Sequence, residues 1–288
     1  MIGPEHERVR TGRGEGFFDS VSIDFCDDDQ DVCGLVRVTR LASSRSARAL
    51  ALLFAAGEAV QVVAEVETGS EEQAAVDGVA LDVVSPLESW QAAVAGDASL
   101  RLEVRAASPP VGLLPEEESL SGLTGVESYE QLCELSGGIE LGGRSRTLRC
   151  LGRRVHSWGE IDWSRIDVMR SLYGISGDRR AIVFESARPS GSDGHGDERR
   201  VARLLAAQEE TQAFEDARLS TVFGEDGLPA KAGLELFLPG EDYPRRLGGE
   251  AIHAAWSDDG ATRSAISFFR WSMEGTPAFG LYEAVMPS

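Results

Sequence analysis

Lysine is almost missing from this chain: Lys231 stands alone, and every other base is arginine. A Schiff-base mechanism would have to use Lys231. It lies in 224-GEDGLPAKAG-233, a turn-rich stretch with none of the apolar burial that lowers a lysine pKa. Bases of both kinds are outnumbered, 28 against 48 acids, for a net charge of −20. Such a surface repels phosphate backbones and anionic lipid, so no nucleic-acid partner is expected. Cysteine is scarce as well. Cys26, Cys33, Cys133 and Cys150 form no CxxC pair, and they read as buried free thiols. No two of the histidines His6, His156, His195 and His253 stand at a metal-ligand spacing, so no metal is expected. GxGxxG, P-loop, HExxH and GxSxG signatures are missing too, and no other cofactor is expected. No apolar run approaches the roughly 20 residues that cross a bilayer. The stretch 1-MIGPEHERVRTGRGEG-16 lacks the apolar segment of a signal peptide and reads as a tail without fixed structure. A cytoplasmic protein with no membrane span is therefore expected.

What the sequence has is a period of two. In 99-SLRLEVRA-106 the apolar Leu100, Leu102, Val104 and Ala106 alternate with Arg101, Glu103 and Arg105, the mark of a half-buried antiparallel strand. The stretches 34–41, 59–67, 181–188 and 264–271 read the same way, and 137–141 and 144–152 are joined at a Gly142-Gly143 hairpin turn. Asp226-Gly227 and 258-DDG-260 are further turns. The best helix candidate is 197-DERRVARLLAAQEE-210, and 46-SARALALLF-54 is ambiguous between helix and strand. Hydrophobic residues make up 42%, enough for a substantial core. The fold class is all-β, a sandwich or barrel. Trp256, Phe268, Phe269, Trp271, Tyr173, Phe184, Tyr243 and Tyr282 are read mainly as core.

The aromatics cluster at one place. In 156-HSWGEIDW-163, two of the five tryptophans accompany a histidine and two carboxylates. In an extended chain His156, Trp158, Glu160 and Asp162 share a face, unless Gly159 breaks the alternation with a bulge. Such a face could move protons and stabilise a cation. It could equally be a plug of hydrogen-bonded polar groups and core tryptophans.

The run 129-YEQLCELSGGIELGGRSRTLRCLGRRVHSWGEIDW-163 resembles a signature of the tandem lipocalin-like superfamily. That group includes carotenoid 1,2-hydratases, AttH-like proteins and decalin-forming Diels–Alderases. The resemblance rests on Glu130-Gln131 early in a strand, the glycine-turned hairpin, the His-Ser-Trp-Gly motif and the Asp-Trp pair. It extends to 279-FGLYEAVMPS-288. It implies two consecutive lipocalin-like antiparallel β-barrels, over residues 1–165 and 166–288, with few short helices and with His156 near their junction. Related motifs place an aspartate before the histidine, and here that position is Val155. Asp162 or Glu160 would then orient the imidazole.

The resemblance also implies a cofactor-independent cyclase or isomerase, Diels–Alderase-like, acting on a large apolar polyene or polyketide-like substrate in secondary metabolism. A hydratase adding water to an isoprenoid-like alkene is the alternative, and a non-catalytic carrier of an apolar ligand is the rival from another class. His156, Asp162 and Glu160 are the expected catalytic residues. Trp158, Trp163, Glu130, Gln131 and Tyr282 are the expected substrate contacts.

Overall fold

The computed structural model of the protein describes residues 2–288 apart from 13, 15, 43–44, 56, 68–74, 113–117, 193 and 208–209. The chain forms two curled antiparallel sheets, a barrel and a half-barrel, with few short helices. Two compact units result: residues 1–113 with 126–161, and residues 114–125 with 162–288.

The first unit opens with four strands in sequence, β1 (Phe17–Asp27), β2 (Val32–Leu41), β3 (Ser46–Ala55) and β4 (Glu58–Glu67). Then follow β5 (Ala75–Val76), β6 (Val79–Ser85), β7 (Ser89–Val94), β8 (Ser99–Ala106), β9 (Val111–Gly112), β10 (Val126–Leu141) and β11 (Arg144–Glu160). Their order is β4-β3-β2-β1-β11-β10-β8-β7-β6-β5, with β9 on β10. The last strand thus returns to pair with the first. The expected alternation holds in β8, where Leu100, Leu102 and Val104 are buried and Arg101, Glu103 and Arg105 exposed. The ambiguous stretch 46–54 is strand, buried along nearly its whole length.

The second unit repeats this plan. It contains β12 (Ile166–Ser176), β13 (Arg180–Pro189), β14 (Arg199–Ala206), β15 (Gln212–Ala213), β16 (Asp216–Phe223), β17 (Pro229–Phe237), β18 (Arg245–Asp258), β19 (Thr262–Met273) and β20 (Thr276–Pro287). The order is β15-β14-β13-β12-β20-β19-β18-β17-β16, so again the last strand joins the first. Within this unit α1 (Glu118–Thr124) sets Leu120 against Ala187 and Val201. The helix expected at 197–210 is a correction: Arg199–Ala206 is strand β14. Val201 to Ala206 are all buried, so an apolar run covered on both faces shows neither period, and pairing with β13 decides the outcome. Tyr243 is a second correction, 84% exposed and not core.

The hairpin that carries the site is the longest. β10 and β11 pair without a register shift from Val126 opposite Gly159 to Leu141 opposite Arg144. Gly142 and Gly143 turn the chain with φ of 57° and 72°, the two positive values that a two-residue turn of right-twisted strands requires. Because β-strand side chains alternate, this register fixes which groups meet.

Candidate active site

His156 lies in β11 between β1 and β10, opposite Val21 on one side and Tyr129 on the other. Directly opposed residues of antiparallel strands share a face. The imidazole therefore points with Tyr129, and with Asp19 two residues before Val21. His156 Nε2 is 2.9 Å from Asp19 Oδ2, and the two side chains are 1% and 2% exposed. His156 Nδ1 is 3.4 Å from the Tyr129 hydroxyl, and Arg154 Nη1 donates to that hydroxyl at 3.2 Å. Arg154 Nη2 donates to Glu7 Oε2 at 2.6 Å.

These contacts set a direction of donation. Arg154 can only donate, so the Tyr129 oxygen accepts from it, and the hydroxyl proton faces Glu7 and His156 Nδ1. Asp19 can only accept, so the proton of the 2.9 Å contact sits on His156 Nε2; the tautomer follows from the network. Asp19 accepts further from the Arg10 main-chain N–H at 2.8 Å, and Arg40 Nη1 stands 3.5 Å away. Burial pushes the Tyr129 phenol up to about 12, with the Arg154 charge pulling the other way. The phenol is thus a hydrogen-bond link, not an ionised group, at neutral pH.

A cavity of about 480 Å³ adjoins this chain of groups. Its lining is apolar at Val21, Ile23, Val38, Leu81 and Trp90, and polar at Asp19, His156, Arg154, Arg40, Glu7, Arg8 and Asp82. The volume falls in the range of small-molecule sites. The Arg154 guanidinium lies over the Trp90 ring, 4.5 Å from its centroid.

The structure brings together only part of the expected set. Trp158 packs edge-on against His156, ring centroids 5.3 Å apart, and Arg10 covers its ring at 4.7 Å. Glu160, at the end of β11, is exposed. Asp162 lies beyond the strand and caps the turn Trp163–Arg165, its Oδ1 accepting from the Ser164 N–H and hydroxyl. Those bonds hold its carboxyl below the usual range. Neither acid orients His156; Asp19 does. The missing aspartate at 155 is no loss to the imidazole, because adjacent strand residues face opposite ways. Gly159 makes no bulge in either pairing.

Glu130 points away from His156 and pairs with Arg153 at 3.2 Å. Gln131 is buried, its amide donating to the Leu87 and Ser108 carbonyls at 3.1 Å each. Trp163 sits half-buried in its turn. Tyr282 belongs to the second unit, where its hydroxyl is 2.9 Å from Thr221 Oγ1. Conversely, Asp19, Tyr129, Arg154 and Glu7 were not among the expected site residues. Asp19 had a signal: period two in 15-EGFFDSVSIDF-25 sets it in the apolar row of Val21, Ile23 and Phe25. Arg154 shares the face of His156 by the same rule. Glu7 had none, and the tail expected around it is instead a short turn at Pro4–Glu7.

The chain belongs to the family described as Domain of unknown function (DUF7064), which matches residues 4–286. No curated protein matches the sequence. A putative AttH from Nitrosomonas europaea is similar in structure, with a TM-score of 0.70 and 14% identity over 94% of this chain and 92% of that one. CghA with Sch210972 gives 0.65 and 13% identity, over 95% of this chain and 89% of its own. Kievitone hydratase from Nectria haematococca gives 0.62 and 13%, with the same coverage of 95% and 89%. At these identities the likeness is one of fold.

Proposed function

We propose that the protein is a cofactor-independent enzyme that holds an apolar, unsaturated small molecule in the first unit and cyclises or isomerises it. The observation that carries this reading is a cavity whose apolar lining adjoins hydrogen-bonded titratable groups. The apolar wall confines a folded conformer, which can supply several kcal/mol of a barrier, up to about 7–11. Arg154, a buried charge in the cavity lining, orients the substrate by its polar end. His156, steadied by Asp19, offers Nδ1 as a proton acceptor, since the 3.4 Å contact with Tyr129 is long for a hydrogen bond. Two similar structures lend support: CghA was solved with the small molecule Sch210972, and kievitone hydratase is by name a small-molecule enzyme.

The hydratase alternative needs a carbocation near Trp158. The Arg10 guanidinium already covers that ring, and its charge would repel such a cation. The carrier alternative gives the polar wall no task.

Metabolite profiling tests the proposal. Cells lacking the gene should accumulate an unsaturated precursor with the same mass as a product that disappears. The wild-type gene should restore the product, and His156→Ala should not. A product heavier than its precursor by one water would make the protein a hydratase. Full restoration by His156→Ala would make it a carrier.

A further inference from the structure

Arg154 is unusual among the cavity groups. It is a positive charge with a side chain only 1% exposed, fixed in a strand that is paired on both sides. An apolar ligand has no use for it, and a buried arginine–carboxylate pair is commonly no more stable than well-packed apolar side chains of similar volume. Its partner is held quite differently. Glu7 sits in residues 2–12, a segment that joins neither sheet. Glu7 Oε1 accepts from the Leu87 N–H at 3.2 Å, His6 meets Tyr129 edge-on at 6.5 Å, and the Arg10 main chain reaches Asp19. Arg10 also covers Trp158 at 4.7 Å, and Glu7 bonds Tyr129. Each of these contacts involves a side chain, and without a backbone ladder the segment is cheaper to displace than a strand of the sheet.

Glu7 therefore has the chemistry of a ligand and the attachment of a removable one. Its carboxylate lies in the cavity wall, 4% exposed, with one oxygen on the guanidinium. Arg154 Nε and Trp90 Nε1, both in residues lining the cavity, have no hydrogen-bond partner. Buried donors without acceptors are costly, and an incoming anion lets this wall reorganise around it. We propose that the ligand carries a carboxylate, that Arg154 is its receptor, and that Glu7 occupies its place in the empty site. This rests on the reading of the first unit as an apolar-ligand site. It narrows the substrate class to apolar acids with the acidic end at Arg154 and the chain along Val21, Ile23 and Val38.

Retinoic acid and retinol test it, being polyenes of one shape that differ in the acidic group. Binding is read by quenching of tryptophan emission, with Trp90 in the cavity wall. Wild-type protein should bind retinoic acid at least tenfold more tightly than retinol. Glu7→Gln should tighten retinoic acid severalfold and more than it changes retinol, because it removes the internal competitor for Arg154. Glu7→Gln combined with Arg154→Met takes out both charges, so that neither is left buried alone, and should bring the two probes to equal affinity. Equal affinity in wild type, or an acid preference that survives the double variant, overturns the proposal and leaves the apolar site standing. Binding of neither probe counts against the apolar site itself, and the proposal falls with it.

Discussion

The two units share a plan and differ in what they enclose. In each, a meander of antiparallel strands ends on a strand that pairs with the first, β11 with β1 and β20 with β12. The first unit turns Asp19, Tyr129, Arg154 and His156 inward beside a cavity. The second stacks rings in its core, Phe269 on Trp271 at 4.4 Å and 16° with Tyr282 and Phe184 fully buried, and its hollow of about 320 Å³ is lined by Leu228, Pro229, Ala251 and Ala254 beside Glu225 and Asp226. It also buries a pair, Arg170 with Glu198, but there Ser186 closes on the same carboxylate and the glutamate directly precedes a strand. One topology thus carries two sets of inward side chains, and function follows those side chains, not the fold.

The comparison is broken most forcefully from the second unit. Trp271→Ala should cost about 3–5 kcal/mol, the usual range for a buried aromatic, measured by urea unfolding. If the variant is as stable as wild type, the stacked rings are not the core they are taken for. In the first unit, His156→Ala should cost less, within roughly 0.5–3 kcal/mol, while abolishing conversion of the accumulated precursor.

A matched pair sharpens the contrast. Thr221→Val removes the hydroxyl that meets Tyr282, and Tyr129→Phe removes the hydroxyl that meets Arg154 and His156; each should cost about 0.5–1.5 kcal/mol. Only Tyr129→Phe should impair product formation, since it cuts the link between Arg154 and His156. Equal impairment by both would erase the functional distinction between the units.

Alkaline stability should divide them too. Burial raises Cys133 and Cys150 from 9.0 to about 12 and Tyr129 from 10.0 to about 12. All three lie in the first unit; in the second, burial raises Tyr282. A folded pKa above the unfolded one gives stability that is present below the unfolded value and lost as pH climbs to the folded value. The urea midpoint should therefore fall from pH 9 upward, steepening past 10. Cys133→Ala with Tyr129→Phe should flatten that slope, and an unchanged slope would place the alkaline sensitivity elsewhere.

The smallest effects are expected at the acids first singled out by sequence. Asp162→Asn and Glu160→Gln should leave product formation at the wild-type level, because both side chains are exposed and one of them only caps a turn.

Those two acids show where reading the sequence stops. Short-range pattern was sufficient for the strands: alternation marked β8, and paired glycines marked the β10–β11 turn. It failed at β14, where burial on both faces erased the period. The His-Ser-Trp-Gly motif pointed to His156 and Trp158, whose rings the structure packs edge-on. The histidine's carboxylate was sought nearby in the chain, yet Asp19 is 137 residues away and arrives by strand register. Glu7 reaches Arg154 across 147 residues from a segment with no periodic signal at all. Register between distant strands is a tertiary property, and residue spacing does not encode it locally.

Asp19 offers the most direct measurement, because it has no part in the motif and enters the account through geometry alone. Asp19→Asn keeps the shape and an oxygen acceptor but removes the charge that steadies His156. Cells carrying it should make soluble, folded protein and yet accumulate the same precursor as cells without the gene. Normal product formation by the Asp19→Asn protein would contradict the assignment of the first unit's buried polar wall as the reactive site.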